Sequence, residues 1–374
     1  MQLAPPDLHL ARHARLRDDV RAASLDALLV TSLPNIAYLT GLFASVGALV
    51  ISADRLVLVV DGRYVPTAKV RAAALPGLEV APVSAVGSID ETIAAVLCSM
   101  VARRAGFEAD HMTVQQHQDL LSRLAARARA TLDLVSTHGM VETRRAVKDA
   151  WELQTLSDGA ARLSDAAKCI IPKALAGRRE CDVAAEIDAE LRRVGFQKPA
   201  FDTIVAAGPN SAVPHYRAGE RVLAPGDLVI LDFGGMLNGY AVDLTRTIVV
   251  GAAGPRERRL LEQVAAAQQA AFDAIAVGRP ATDVDGAART VLERGGLGEA
   301  FSHGTGHGLG LEVHERPRVA RRRDGVSAEP LKAGMVFTLE PAAYLEGWGG
   351  ARIEDDVAIT ATGPRWLTDV PRIL

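Results

Sequence analysis

Three imidazoles fall within one short stretch, SHGTGHGLGLEVHERP, residues 302–317. His303, His307 and His314 cannot share an ordinary helix, because Gly304, Gly306, Gly308 and Gly310 interrupt it. Imidazoles on a glycine-rich loop can ligate a metal, move a proton or touch a substrate. The choice among these rests on carboxylates far away in the chain. One group lies in DLVILDFGGMLNGYAVDLTRTIVV, residues 227–250. Gly235, Asn238 and Gly239 mark a hairpin between two β-rich runs. Asp232 and Asp243 lie symmetrically about it, so they are expected opposite or nearly opposite each other, with Cβ atoms about 5 Å apart. Aspartate is depleted in strand interiors, and two facing aspartates repel unless something positive lies between them.

A second group lies in GMVFTLEPAAYLEGWGGARIEDDVAIT, residues 334–360. Glu340 and Glu354 are mirrored about Gly347 in the turn EGWGG. Two hairpins each carrying an acidic pair within apolar runs call for a cationic partner, since buried charges need one. Four carboxylates and one imidazole make a hard, oxygen-rich ligand set. Mn²⁺ suits it, with Co²⁺ or Zn²⁺ as alternatives. Two divalent ions balance four negative charges, and such a pair can activate a shared water and clamp an oxyanion. The pattern predicts a hydrolase with two metal ions.

The elements that must position these residues fall into two groups. Residues 8–24 read as an amphipathic helix. Residues 26–31, 47–52 and 55–60 read as short strands. SIDETIAAVLCSMVARR, residues 88–104, reads as a helix capped by Ser88 with Glu91 completing a capping box, and another helix follows near 113–130. This alternation predicts an α/β domain over residues 1–142. The pattern lapses between 134 and 145. Helical runs at 147–170, 180–194, 256–277 and 282–294 then flank strand pairs near 228–250 and 335–360, which look like partners of each other. They predict an α+β domain over residues 143–374.

Composition excludes several classes. A formal net charge of -3 gives no basic excess for nucleic acid. Arg321, Arg322 and Arg323 form one dense basic cluster and read as a solvated loop. Cys98, Cys169 and Cys181 are too scattered for a disulfide framework or a thiolate zinc site. The first twenty residues carry charges throughout, so no signal peptide is expected. No apolar stretch is long enough to span a membrane. These features predict a soluble, cytoplasmic protein.

Asp232, Asp243, His307, Glu340 and Glu354, in that order and context, resemble the metal ligands of the pita-bread metallopeptidases. That family includes methionine aminopeptidase, aminopeptidase P and prolidase, with creatinase as a metal-free relative. NIAYLTG (35–41) and DGRYVPTA (61–68) resemble the extra N-terminal domain of the aminopeptidase P, prolidase and creatinase branch, and RRAVKDAWELQTL (144–156) resembles the start of its catalytic domain. The resemblance implies a creatinase/prolidase-type N-terminal domain and a pita-bread catalytic domain. It implies Asp232 as a terminal ligand and Asp243 and Glu354 as bridges. It gives His307 and Glu340 to the second metal, with Glu340 also accepting a proton from the attacking water. His215 and His314 match histidines near the scissile bond, His303 one lining the pocket, and Arg352 a partner that holds the carboxylates. The family commonly has Glu-Pro-Gly where this chain has EPAAY, with Ala342 for the glycine. The other histidines, His9, His13, His111, His117 and His138, read as structural, as do Trp151, Trp348 and Trp366.

The activity so implied is hydrolysis of the bond before proline in a proline-containing peptide. A prolidase-type dipeptidase is favoured because Arg318, in HERPRV, matches an arginine that binds a dipeptide's free carboxylate. Aminopeptidase P acting on longer peptides is the alternative. A creatinase-like hydrolase or a non-catalytic binding module is disfavoured by the full ligand set. The resemblance also implies a homodimer.

Overall fold

The computed structural model describes residues 1–100, 102–127, 132–322 and 329–373. The chain divides into two compact units, residues 2–145 and 146–374.

The first unit contains α1 (Pro6–Ala22), β1 (Ala27–Val30), α2 (Leu33–Thr40), β2 (Ala48–Ser52), β3 (Leu56–Val60), α3 (Val65–Ala74), β4 (Leu78–Pro82), α4 (Ile89–Ser99), β5 (Arg104–Glu108), α5 (Val114–Ala126), β6 (Asp133–Thr137) and α6 (Met140–Arg145). The strands form one mixed sheet in the order β4-β3-β2-β1-β5-β6. Strands β1 to β3 are buried along their whole length, as their continuous Val and Leu runs require in a sheet covered on both faces.

Local signals were partly misleading here. Ser88 caps α4 by accepting the Glu91 amide at 3.1 Å. Glu91 does not complete a box, and its carboxylate reaches Arg127 instead. The full capping boxes are Thr113–Gln116 and Asp149–Glu152. The helix read through Arg104 stops at Ser99, because the Asp26 carboxylate takes the amides of Arg103 and Arg104 at 2.8 and 2.9 Å and draws them toward the sheet. Helix α5 ends at Ala126, and positions 128–130 of the expected helix lie outside the described residues. The lapse at 134–145 holds β6 and α6, which are too short to show a period.

The second unit contains α7 (Ala150–Ile170), α8 (Glu180–Arg193), β7 (Ile204–Ala207), β8 (Leu228–Leu237), β9 (Tyr240–Val249), α9 (Pro255–Asp273), α10 (Ala281–Arg294), β10 (Gly306–Gly308), β11 (Glu315–Val319), β12 (Val336–Leu339), β13 (Ala342–Leu345), β14 (Gly349–Arg352), β15 (Asp355–Thr360) and β16 (Gly363–Trp366). The strands form sheets β7-β8-β9, β11-β10-β12-β15-β16 and β13-β14. Helix α7 packs Leu156, Ala160 and Leu163 into one core with Leu231, Phe233 and Leu244. Helices α9 and α10 pack Leu261, Val264 and Leu292 into another with Phe337, Leu339 and Val357. These helices on antiparallel strands are the expected α+β arrangement.

Two registers fix the acidic residues. The β8–β9 turn is Asn238-Gly239, both with positive φ (52° and 86°), so Leu237 pairs with Tyr240. Asp232 then stands opposite Thr245, and Asp243 opposite Gly234. The two aspartates are therefore diagonal neighbours on one face, not opposite partners, because the turn centre lies one residue beyond the midpoint read from the sequence. The second hairpin keeps its register about Gly347 but breaks in the middle. Strand β12 pairs with β15 and β13 with β14, leaving Glu340-Pro341 and Ile353-Glu354 between the two ladders. Proline cannot donate to a ladder. Freed there, the Glu354 amide donates to the Thr245 carbonyl at 3.0 Å. The break thus joins the second hairpin to β9 beside Asp232's strand partner.

Arg246 braces this junction. Its buried guanidinium donates to the carbonyls of Thr245, Glu354, Val370 and Pro371 and to Asp355 Oδ1, at 2.7–2.9 Å. Removing one partner of such a pair leaves a buried charge uncompensated. Arg246→Ala is expected to lose about 3–5 kcal/mol of stability, read from the shift in urea midpoint; a loss below about 1 kcal/mol would contradict this role.

Candidate metal centre and active site

The sheet registers bring the sequence-selected carboxylates to one buried place. Asp232, Asp243 and Glu354 are all buried, and ligand atoms of Asp243, His307 and Glu354 lie within 4.8 Å of one another. Glu340 Oε1 lies 3.6 Å from His307 Nε2. The Glu340 amide donates to the Thr305 carbonyl at 2.6 Å, which ties the end of β12 to the start of the histidine loop. Ala342 occupies an extended position in β13 opposite Arg352.

The donor set fits divalent ions. Asp232 Oδ2 accepts from Arg352 Nη2 at 2.6 Å, and Glu354 Oε2 accepts from Thr245 Oγ1 at 2.7 Å. Asp232 Oδ1, Asp243 Oδ1 and Glu354 Oε1 are buried with no donor among the described residues. A buried carboxylate oxygen without a donor is costly unless a cation supplies the missing charge. Burial, reinforced by neighbouring carboxylates, pushes Asp243 and Glu354 well above the usual carboxylate range. Burial raises Glu340 to about 8 despite the opposing Arg352 charge. Burial, with His314 beside it, lowers His307 to about 4, which keeps the ring neutral and able to ligate.

A pH prediction follows from Glu340. Between about 4.5 and about 8 the folded, metal-free protein keeps a proton that the unfolded chain has released. At Glu340 the folded state binds more protons there, so this contribution to stability falls as pH rises through that window, by up to about 1.4 kcal/mol per pH unit. Below about 6.5 His303 and His307, held neutral in the fold, contribute the opposite slope. Chelated protein is therefore expected to melt at progressively lower temperature from about pH 7 to about pH 8, and metal to abolish the trend. Calorimetry with and without chelator reads this; a metal-free Tm that rises across that interval would contradict it.

The remaining site residues form a layer beside the carboxylates. Arg352 Nη1 donates to Tyr344 Oη at 2.6 Å and to the Pro214 carbonyl at 3.3 Å. Tyr344 Oη lies 3.0 Å from His303 Nε2. Burial lowers His303 to about 4. The His314 ring packs against His307, with centroids 4.2 Å apart. Burial, with His215 nearby, opposes protonation of His314. His215 is exposed on the loop after β7, one residue beyond the Pro214 carbonyl that Arg352 holds. Arg318 is exposed on β11 directly opposite His307. It lines a cleft of about 760 Å³ with His303, Arg321 and Arg322. Arg321 and Arg322 are exposed, and Arg323 lies outside the described residues.

The profile of metallopeptidase family M24 matches residues 157–361, and that of the creatinase/prolidase N-terminal domain matches residues 12–147. The chain belongs to metallopeptidase family M24. Family M24 membership gives it divalent metal dependence and the pita-bread catalytic fold. Uncharacterized peptidase YqhT of Bacillus subtilis is 35% identical over 360 residues, covering 96% of this chain and 98% of that protein. The Xaa-Pro dipeptidase of Pyrococcus furiosus is 39% identical over 235 residues, covering 63% of this chain and 66% of that protein. The solved Xaa-Pro dipeptidase from Bacillus anthracis superposes with a TM-score of 0.90 at 32% identity, covering 98% of this chain and 100% of that chain.

Sequence reasoning missed three residues of this M24 site. Thr245 holds Glu354, Tyr344 links Arg352 to His303, and buried Asp356 accepts the Asp243 amide at 3.2 Å. Thr245 lies two positions from Asp243 on β9, and Asp356 two positions from Glu354 at the start of β15, so alternation could have found them. Tyr344 carried no such signal. Among the described residues, no helix is long and apolar enough to cross a membrane.

Proposed function

We propose that this M24 metallopeptidase is a dinuclear-metal Xaa-Pro peptidase that hydrolyses the bond before proline, and that dipeptides are its preferred substrates. The observation that carries the metal chemistry is the cluster of buried carboxylate oxygens without donors around His307. The full-length likeness to an Xaa-Pro dipeptidase supports the substrate class. Asp232 is assigned as terminal ligand, Asp243 and Glu354 as bridging ligands, and His307 and Glu340 as ligands of the second metal. Two Mn²⁺ ions suit this oxygen-rich set, with Co²⁺ or Zn²⁺ as alternatives. When bound, they acidify water and polarise the scissile carbonyl.

The chain's own groups do the rest. Glu340 accepts the proton of the attacking water. His215 and His314 face the substrate, where an imidazole can hand a proton to the leaving proline nitrogen or hydrogen-bond the developing oxyanion. His303 lines the pocket, and Arg352 fixes the Asp232 carboxylate. We assign the division between N-terminal and catalytic domains to residues 142/143, and the protein to the cytoplasm as a homodimer.

Arg318 tests the preference for dipeptides. It stands opposite His307 in the β10–β11 pairing, so its side chain leaves the same face. A dipeptide presents a carboxylate just beyond the proline ring, where a longer peptide presents a neutral amide. Losing the charge-assisted bond costs about 1.5–3 kcal/mol. Arg318→Ala is therefore expected to lower kcat/KM about ten- to a hundredfold or somewhat more on Xaa-Pro, and much less on Xaa-Pro-Yaa. Equal losses on matched substrates would remove the case for a dipeptidase.

A further inference from the structure

A buried ion pair on α10 touches no proposed ligand, yet it holds the segment that carries His303. Asp285 and Arg289 stand one turn apart and are almost fully buried. The guanidinium grips the carboxylate with Nε to Oδ2 at 2.6 Å and Nη2 to Oδ1 at 3.1 Å. Its remaining donors go to backbone, Nη1 to the Phe301 carbonyl at 3.2 Å and Nη2 to the His303 carbonyl. The guanidinium also lies 4.3 Å from the Phe301 ring centroid. Asp285 Oδ1 accepts from both the amide and the hydroxyl of Thr305, at 3.0 and 2.8 Å.

This pair therefore fixes three points along residues 301–305. From there two routes lead to the centre. The Thr305 carbonyl accepts the Glu340 amide, and the His303 ring meets Tyr344, which accepts from Arg352, the partner of Asp232. Little slack exists on the far side. A side chain on Gly304 would stand 2.9 Å from the Val319 carbonyl, and one on Gly306 would overlap the Thr338 carbonyl. A buried ion pair is a weak source of net stability compared with apolar packing. What this one supplies is direction, because guanidinium and carboxylate bonds are geometrically demanding.

We infer that Asp285 and Arg289 are positioning residues. They set the height of the 301–305 segment on α10 and thereby the placement of Glu340 and His303 at the metal centre. This rests on Glu340 being a metal ligand, as assigned above.

The test replaces the pair by apolar residues of similar size, Asp285→Leu with Arg289→Met, and compares it with Arg289→Lys, which keeps the charge but cannot reach both carbonyls. Three quantities are read on each holoenzyme: Tm, metal retained per chain after dialysis against graded chelator, and kcat and KM on an Xaa-Pro dipeptide. The expected result for the apolar pair is a folded protein with a lowered Tm, since the Thr305 amide and hydroxyl and the Phe301 and His303 carbonyls lose their partners, with one of the two metals lost at about tenfold lower chelator and kcat down about ten- to a hundredfold with little change in KM. Arg289→Lys is expected to show the same pattern more weakly, and it decides the matter if the double variant does not fold. Variants that fold with parental metal retention and kcat would overturn the inference. Failure of the parent itself to bind metal or cleave any Xaa-Pro peptide would instead overturn the assigned function.

Discussion

Asp243→Ala protein is expected to lose bound metal and to hydrolyse Xaa-Pro substrates at least about a thousandfold more slowly than the parent. Asp243 stands on β9 with an unpartnered buried oxygen, and its ligand atom is within reach of both His307 and Glu354. A bridging carboxylate serves both ions, so its removal weakens both sites together. The fold should tolerate the change. Asp243 pairs with Gly234 through backbone alone, and the lost carboxylate is one that repels Glu354 and Asp232 in metal-free protein. The metal-free variant is accordingly expected to melt no lower than the metal-free parent. Elemental analysis, turnover and melting of the chelated proteins check the three parts. A variant with two metals per chain and parental turnover would sink the ligand assignment.

His215→Ala and His314→Ala should separate ligation from substrate handling. Each is expected to keep near-parental metal content while turnover falls about a hundredfold or more, as when proton transfer or oxyanion stabilisation is removed. His314 packs against His307 without taking part in the tightest ligand cluster, and His215 is exposed on its own loop. The two differ in one respect. The His314 ring supports the His307 ring, so His314→Phe is expected to restore metal retention fully if the alanine variant shows a slight loss. Loss of metal equal to that of Asp243→Ala, in either histidine variant, would mean that these residues ligate.

Much of this arrangement could be read from the sequence because it is local. The hairpin turn at Asn238-Gly239 and the mirror about Gly347 are short-range signals, and a strand's period of two then places alternate side chains on one face. The same signals left a one-residue error in the first turn, enough to move Asp243 from Asp232's partner to its diagonal neighbour. They also gave no hint that the second hairpin opens at Glu340 and Glu354, although Pro341 is the residue that forbids a continuous ladder. What stayed hidden depends on packing between distant segments. Tyr344 matters because Arg352 and His303 converge on it, and the Asp285–Arg289 pair because α10 lies under the histidine loop. Strand β10 is only three residues long and glycine-rich, so its pairing with β11 and β12 is set by neighbours and not by propensity.

Arg246 makes the seating of Glu354 depend on residues 370 and 371. The guanidinium that holds the Glu354 carbonyl also depends on the carbonyls of Val370 and Pro371. A chain cut short before residue 370 would contain every proposed ligand and still have a buried cation lacking two partners next to one of them. Such a product should behave as inactive and metal-poor, not as a slightly trimmed enzyme.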